Sequence, residues 1–288
     1  MSVPFAYLSV IIIWSTTPLA IQWSCAAGGF LFAVSARMAL GAFLCWVLIA
    51  LLRLEFPWHR TACYSYLAVS VGIYGSMVAT YWGAQFIPSG LISVLFGFTP
   101  IVTSILAAFW LNERSFTFNK WLGMALGLLG LSLIFWNELQ IDRNGMKGLC
   151  ALLLAVVLHS SSSVWIKRIN APLSALVMTG GGLLITLPLY GLTWFIFGEP
   201  FPQTVTTRAG LSIVYLGLFG SVFGLVLYYH VLKHIDASRA ALITLITPAT
   251  ALLLGQTLNG EVIHLTVGLG AILILGGLAL YQWGQKAG

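Results

Sequence analysis

The chain has 288 residues, of which 59% are hydrophobic and only 7% charged, with a formal net charge of +6. Thirteen Lys and Arg and seven Asp and Glu side chains cannot cover a soluble domain, which carries roughly 25% charged residues, and the apolar patches left facing water would associate. The same figures exclude intrinsic disorder, which goes with few apolar residues and much charge, so the chain is solvated mostly by lipid.

In lipid, backbone polar groups must be paired inside a helix or a closed barrel. Barrel strands alternate apolar and polar residues, whereas stretches such as Leu149 to Leu158 are continuously apolar. The expected fold class is therefore all-α and polytopic, each span needing about 20 mostly apolar residues. Apolar runs between charges and turn residues predict ten transmembrane helices, at 3–22, 31–51, 64–84, 90–111, 120–136, 147–166, 173–197, 209–231, 240–258 and 263–284. No Lys or Arg precedes the first run, which exceeds a signal-peptide h-region and reads as a retained helix. The connections are short, about a dozen residues at most, and leave no room for a soluble catalytic domain.

With ten spans both termini share a side. Nine of the thirteen cations fall there or at its helix ends: Arg53, Arg60, Arg114, Lys120, Lys167, Arg168, Lys233, Arg239 and Lys286. Arg143, Lys147 and Arg208 fall on the other side, and Arg37 lies inside the second span. The excess of positive charge predicts that both termini are cytoplasmic. No basic stripe with interleaved aromatics stands outside the membrane, so nucleic acid is not an expected partner.

An internal repeat emerges when the chain is slid by 148 positions. Gly72 then meets Gly220, Tyr81 meets Tyr229, Ile87 meets Ile235, Thr99-Pro100 meets Thr247-Pro248, and Glu113 meets Glu261. A one-residue gap aligns Gly123 and Gly130 with Gly270 and Gly277, and an offset of 145 aligns Ser15 and Ile21 with Ser160 and Ile166. Two five-helix repeats, 1–138 and 139–288, follow. Five is odd, so the second enters from the opposite side of the bilayer, an inverted topology that places Glu113 in a cytoplasmic loop and Glu261 in an external one. In transporters such repeats put the substrate near the midplane where the halves meet.

Trp14-Ser15, Arg37, Pro100, Glu113, Trp121-Leu122-Gly123 and Gly130, with a second set at Pro248, Glu261, Gly270 and Gly277, resemble the EamA-type members of the drug/metabolite transporter superfamily over essentially the whole chain. The resemblance implies a ten-helix inverted-repeat carrier, often an inner-membrane exporter of amino acids or other small metabolites. The second half departs from the pattern, with His159-Ser160 where its first helix would carry Trp-Ser.

Several residues near the expected midplane are candidates for transport. Pro100 and Pro248 lack the amide that would bond four residues back, freeing the carbonyls of Phe96 and Thr244 and kinking the helix; they are the candidate gating hinges. Trp14, Thr17, Tyr74, Phe98, Thr99, His159, Ser162 and Thr247 are candidate substrate contacts, making an aromatic cavity with scattered hydroxyls. Hydroxyls at such positions also serve helix packing. Trp165, Tyr228 and Tyr229 fall near the cytoplasmic boundary and are expected in an aromatic belt. Arg37 is the one permanent charge well inside a span, read either as snorkelling outward or as holding an anionic substrate group.

All seven carboxylates avoid the span centres, so the buried acid common in proton-coupled carriers is missing, which favours a facilitator or weakly coupled carrier. His159 is the remaining titratable candidate at midplane depth. Cys25, Cys45, Cys63 and Cys150 show no metal spacing, and no cofactor or metal is expected. Gly123–Gly127 and Gly220–Gly224 are read as close packing within one chain, with a monomer as the functional unit. An intramembrane enzyme would need a nucleophile and base or metal ligands within reach of one another; the five His form no HExxH. A flippase for a lipid or lipid-linked headgroup is the alternative on the same repeat. The reading is an inner-membrane transporter, an exporter by resemblance, of small organic metabolites such as amino acids.

Overall fold

The computed structural model describes residues 2–26, 28–111, 118–141, 143–197, 201–241, 243–262 and 264–283. Glu113, Arg114, Asp142, Glu199 and Lys286 lie outside the described residues. The described residues form helices without a strand. In chain order these are α1 (Val3–Cys25), α2 (Phe30–Leu51), α3 (Arg60–Gly83), α4 (Ser89–Trp110), α5 (Phe118–Ile141), α6 (Arg143–Ile169), α7 (Ala175–Phe197) and α8 (Thr207–His234). The short helix Ala237–Ala240 leads into α9 (Ile243–Asn259), and α10 is Leu265–Trp283. Seven of them are long and apolar enough to cross a membrane; α5 and α10 carry shorter described apolar runs, Trp121–Gly130 and Leu265–Gly277.

α3 and α8 each begin at a side-chain cap. The His59 ring accepts from the Ala62 amide at 3.3 Å ahead of α3, and the Thr206 hydroxyl accepts from Ala209 at 3.4 Å ahead of α8. α2 and α6 are followed by Arg53 and Asn170 in the left-handed region, which stops the helical hydrogen bonding.

Packing is reciprocal. α1 lies against α8 and α9, while α6 lies against α3 and α4; α2 pairs with α7, and α5 with α10. The α5–α10 contact is made through glycine. A Cβ on Gly130 would stand 2.5 Å from the Gly270 carbonyl oxygen, and one on Gly277 would stand 2.5 Å from that of Gly123. Lipid offers no hydrophobic driving force between helices, so close backbone approach and dispersion hold such a pair together. The glycine spacing is thus used inside one chain.

α3 and α8 each widen into a π-helical segment, Val71–Ser76 and Leu216–Phe223. Such segments disturb the ordinary ladder and gather at functional sites. In α3 the Ile73 carbonyl is taken by the Tyr190 hydroxyl of α7 at 2.6 Å, in a fully enclosed setting. α4 breaks as well: Gly97 and Phe98 separate Ser89–Phe96 from Thr99–Trp110, with Phe98 bonding three residues back to Leu95 at 3.0 Å. Pro100 stands in the first turn after that break, whereas Pro248 sits inside the continuous α9.

Gly277→Val forces backbone apart and should destabilise the protein by about 1–3 kcal/mol, seen as a lower unfolding temperature in detergent. The adjacent Gly276, whose added Cβ would meet nothing within 4 Å, should accept Ala with no loss. Tyr190→Phe should cost about 0.5–1.5 kcal/mol by removing the bond to the Ile73 carbonyl, and an unchanged unfolding temperature would remove Tyr190 from support of the π segment.

Candidate functional site

The two π segments, the first part of α4 up to its break and the middle of α1 converge on one cavity of about 80 Å3. A buried water needs at least roughly 10–15 Å3 of such space, so the cavity suits several waters or one small organic molecule. α1 contributes Trp14, Thr17, Pro18 and Ile21; α2 contributes Arg37 and Met38; α3 contributes Gly72, Ile73, Met77 and Thr80. α4 adds Ile92, Ser93 and Phe96, α6 adds His159, and the remaining wall is Gly220, Leu225 and Tyr229 of α8 with Thr244 and Thr247 of α9.

Arg37 is 3% exposed and faces this interior. Its Nε donates to the Ser221 hydroxyl at 2.9 Å and one terminal nitrogen donates to the Tyr81 hydroxyl at 3.3 Å. Its guanidinium carbon lies 5.9 Å from the centre of the Tyr81 ring. Gly220 makes the room, since a Cβ there would stand 2.8 Å from the other terminal nitrogen. The side chain therefore points inward, and the snorkelling reading is set aside: Ser221 of α8 and Tyr81 of α3 hold the charge within the bundle. No carboxylate pairs with it among the described residues; the ion pair present there joins exposed Arg239 and Asp236 at 3.3 Å.

One end of the cavity is aromatic. The Trp14 ring lies 5.7 Å from His159 and 4.9 Å from Tyr228, and His159 also meets Phe96 at 6.1 Å. His159 is 7% exposed, and its Nε2 has no hydrogen-bond partner among the described residues. Tyr228 bonds the Ser163 hydroxyl at 2.7 Å, and Ser163 donates to the His159 carbonyl at 2.9 Å, which holds α6 against α8. Tyr228 and Tyr229 are 1% and 3% exposed, so neither stands in an aromatic belt. α8 runs on to His234, more than a turn beyond them, and carries both rings inside the bundle.

The cavity threonines donate to nearby backbone carbonyls three or four residues back: Thr17 to Ile13, Thr80 to Ser76 and Thr244 to Ala241, at 2.8, 2.7 and 2.8 Å. Thr247 donates at 3.3 Å to the carbonyl of Thr244, the one that Pro248 leaves without its amide. What these hydroxyls present to the cavity is acceptor lone pairs.

Of the residues singled out from the sequence, Trp14, Thr17, Arg37, His159 and Thr247 line the cavity. Four others stand elsewhere. Tyr74 bonds Thr193 at 2.5 Å and packs on Tyr190, joining α3 to α7. Ser162 donates to the Ala68 carbonyl at 2.7 Å, joining α6 to α3. Phe98 is buried on the side of Gly127 of α5, and Thr99 is fully buried, its hydroxyl without a partner among the described residues. Met38, Met77, Phe96 and Tyr229 line the cavity without having been singled out; the match of Tyr229 with Tyr81 across the repeat was the available signal for the last.

A polar cluster at one end of the bundle ties distant segments together. The Glu261 carboxylate accepts from the amides of Ser89 and Gly90 at 3.1 and 3.3 Å, at the start of α4. Asn259 bonds Trp23, Gln22 and Glu261 at 2.9, 3.1 and 2.9 Å. Gln22 donates to the Ile87 carbonyl at 2.7 Å; at the other end Lys167 donates to that of Ile235 at 2.9 Å.

A solved crystal structure resembles this fold over 98% of both chains, with a TM-score of 0.72 at 19% identity. Among named proteins, the uncharacterized transporter YoaV of Bacillus subtilis is 28% identical over 96% of each chain. Protein PagO of Salmonella typhimurium is 25% identical over 91% of this chain and 87% of its own. The model of the EamA-like transporter family matches residues 1–136 and again 146–282. With its membrane-length apolar helices, this multi-pass membrane protein belongs to the EamA-like transporter family.

Proposed function

We propose that the protein is a ten-helix carrier of two inverted five-helix repeats, 1–138 and 139–288, with both termini cytoplasmic in a bacterial inner membrane. It moves small organic metabolites, amino acids among the classes that the resemblance implies, by alternating access through the cavity around Arg37. Export is the direction drawn from the resemblance. The observation that carries the reading is the cavity itself, a small interior space at the depth of the α3 and α8 π segments that holds a buried cation.

The repeat is supported by the reciprocal packing of α1 on α8 and α9 and of α6 on α3 and α4. It is supported again by the bonds of Gln22 to Ile87 and Lys167 to Ile235, which map onto one another under the offsets of 145 and 148 residues. Irregular backbone at membrane depth is tolerated where it is enclosed in protein or lines a cavity, and the π segments and the α4 break stand in that setting. On this reading Pro100 and Pro248 let α4 and α9 bend as the halves rock, while Arg37 anchors an anionic group of the cargo.

The test is counterflow of labelled amino acids and organic acids in liposomes holding the purified protein; absence of any flux counts against a carrier. Arg37→Lys keeps the charge but cannot bond Ser221 and Tyr81 in the same fork, so transport should drop by about tenfold or more while the protein stays folded. Normal flux in that variant would remove the specific contact. Pro100→Ala with Pro248→Ala should slow turnover several-fold with binding retained, and an unchanged rate would assign the kinks to packing alone.

A further inference from the structure

We infer that the cavity selects small organic monoanions, carboxylates with an apolar or aromatic body and no ammonium group, over zwitterionic amino acids. This narrows the proposed function and rests on it. Arg37 brings the formal charge of the cavity wall. A guanidinium has five N–H donors, and the bonds to Ser221 and Tyr81 occupy two of them, so donors remain for a carboxylate.

The carboxylates whose side chains are described, Asp236, Glu261 and Glu55, are committed or distant. Asp236 pairs with Arg239 at 3.3 Å, Glu261 is held by the Ser89 and Gly90 amides, and Glu55 is exposed in the connection after α2. Nothing of negative charge in the described cavity wall answers an ammonium. A charge taken from water into such a setting is costly unless paired. A monoanion neutralises the site, whereas a zwitterion pairs its carboxylate and leaves its ammonium facing a net positive wall. The lone pairs of Thr17, Thr244 and Thr247 can accept from neutral O–H or N–H groups but bring no compensating charge.

The apolar body has its place one turn away. A Cβ on Gly220 would touch the guanidinium, and one on Gly224 would come within 3.3 Å of the Trp14 indole nitrogen. Four residues along a helix advance it by about one turn, at most about 6 Å. A short linker between a carboxylate and a ring covers that distance, setting the ring among Trp14, Phe96 and the Met77 side chain.

3-Phenylpropanoate, phenylalanine and phenethylamine share a ring and differ in the carboxylate and the ammonium. Their binding to the full-length protein is read by thermal shift and tryptophan fluorescence, and their flux by counterflow in liposomes. 3-Phenylpropanoate should bind at least about tenfold more tightly than phenylalanine, and phenethylamine should not bind. Arg37→Gln should abolish the preference, and Ser93→Asp, which places a carboxylate in the wall, should move it toward phenylalanine. Phenylalanine binding as tightly as 3-phenylpropanoate to the native protein, or binding of none of the three, overturns the inference. Tight 3-phenylpropanoate binding without flux upholds the charge selection and overturns the carrier reading instead.

Discussion

Arg37 enters the bundle from α2 and meets neutral oxygens, the hydroxyls of Ser221 and Tyr81, rather than a carboxylate. A charge near the bilayer centre costs about 2.5–3.5 kcal/mol on insertion scales, so the surroundings must repay it with polar contacts and space. Both are present: Gly220 gives up its side-chain volume to the guanidinium, and the π segments of α3 and α8 flank it. The cavity, the glycine and the helical irregularity are separate devices answering one demand. An isolated cation inside protein has to be solvated by something other than lipid.

The aromatic end answers a different demand. Trp14, His159 and Tyr228 pack edge to face or tilted, which lets flat rings meet with their quadrupoles in register. The Tyr228–Ser163–His159 chain of hydrogen bonds ties these rings to α6 and α8. Polarity and apolar surface are thereby segregated within one small space, which is how a pocket orients an amphipathic molecule.

Position along the chain was legible in the sequence for most of the cavity residues; direction around each helix was not. In a soluble protein polar residues mark the outward face, but lipid is as apolar as the core, so the periodic signal that tells inside from outside is lost. Trp14, Arg37, His159 and Thr247 reach the cavity because they are the bulky or polar groups at its depth. Tyr74 and Ser162 share that depth and turn toward α7 and α3 instead. Tyr228 and Tyr229 were misplaced for another reason: α8 is 28 residues long, longer than a hydrophobic thickness requires, so nearness to its end did not mean nearness to water. Close packing at Gly123–Gly127 was readable because repeated small residues leave a mark that survives loss of the polar face; that α10 is the partner was not.

The polar bonds at the two ends divide by what they connect. Gln22 to Ile87 and Lys167 to Ile235 each stay within one stretch of chain, fastening the last turns of α1 and α6 to the loops that lead into the fourth and ninth helices. The bonds of Glu261 and Asn259 run between distant stretches, from the end of α9 and the segment after it to the end of α1 and the start of α4. A motion that parts those stretches can leave the first kind intact while it must break the second. On the proposed rocking of two repeats, the lysine and glutamine would act as rivets within a lever, and the glutamate and asparagine as the catch between two levers.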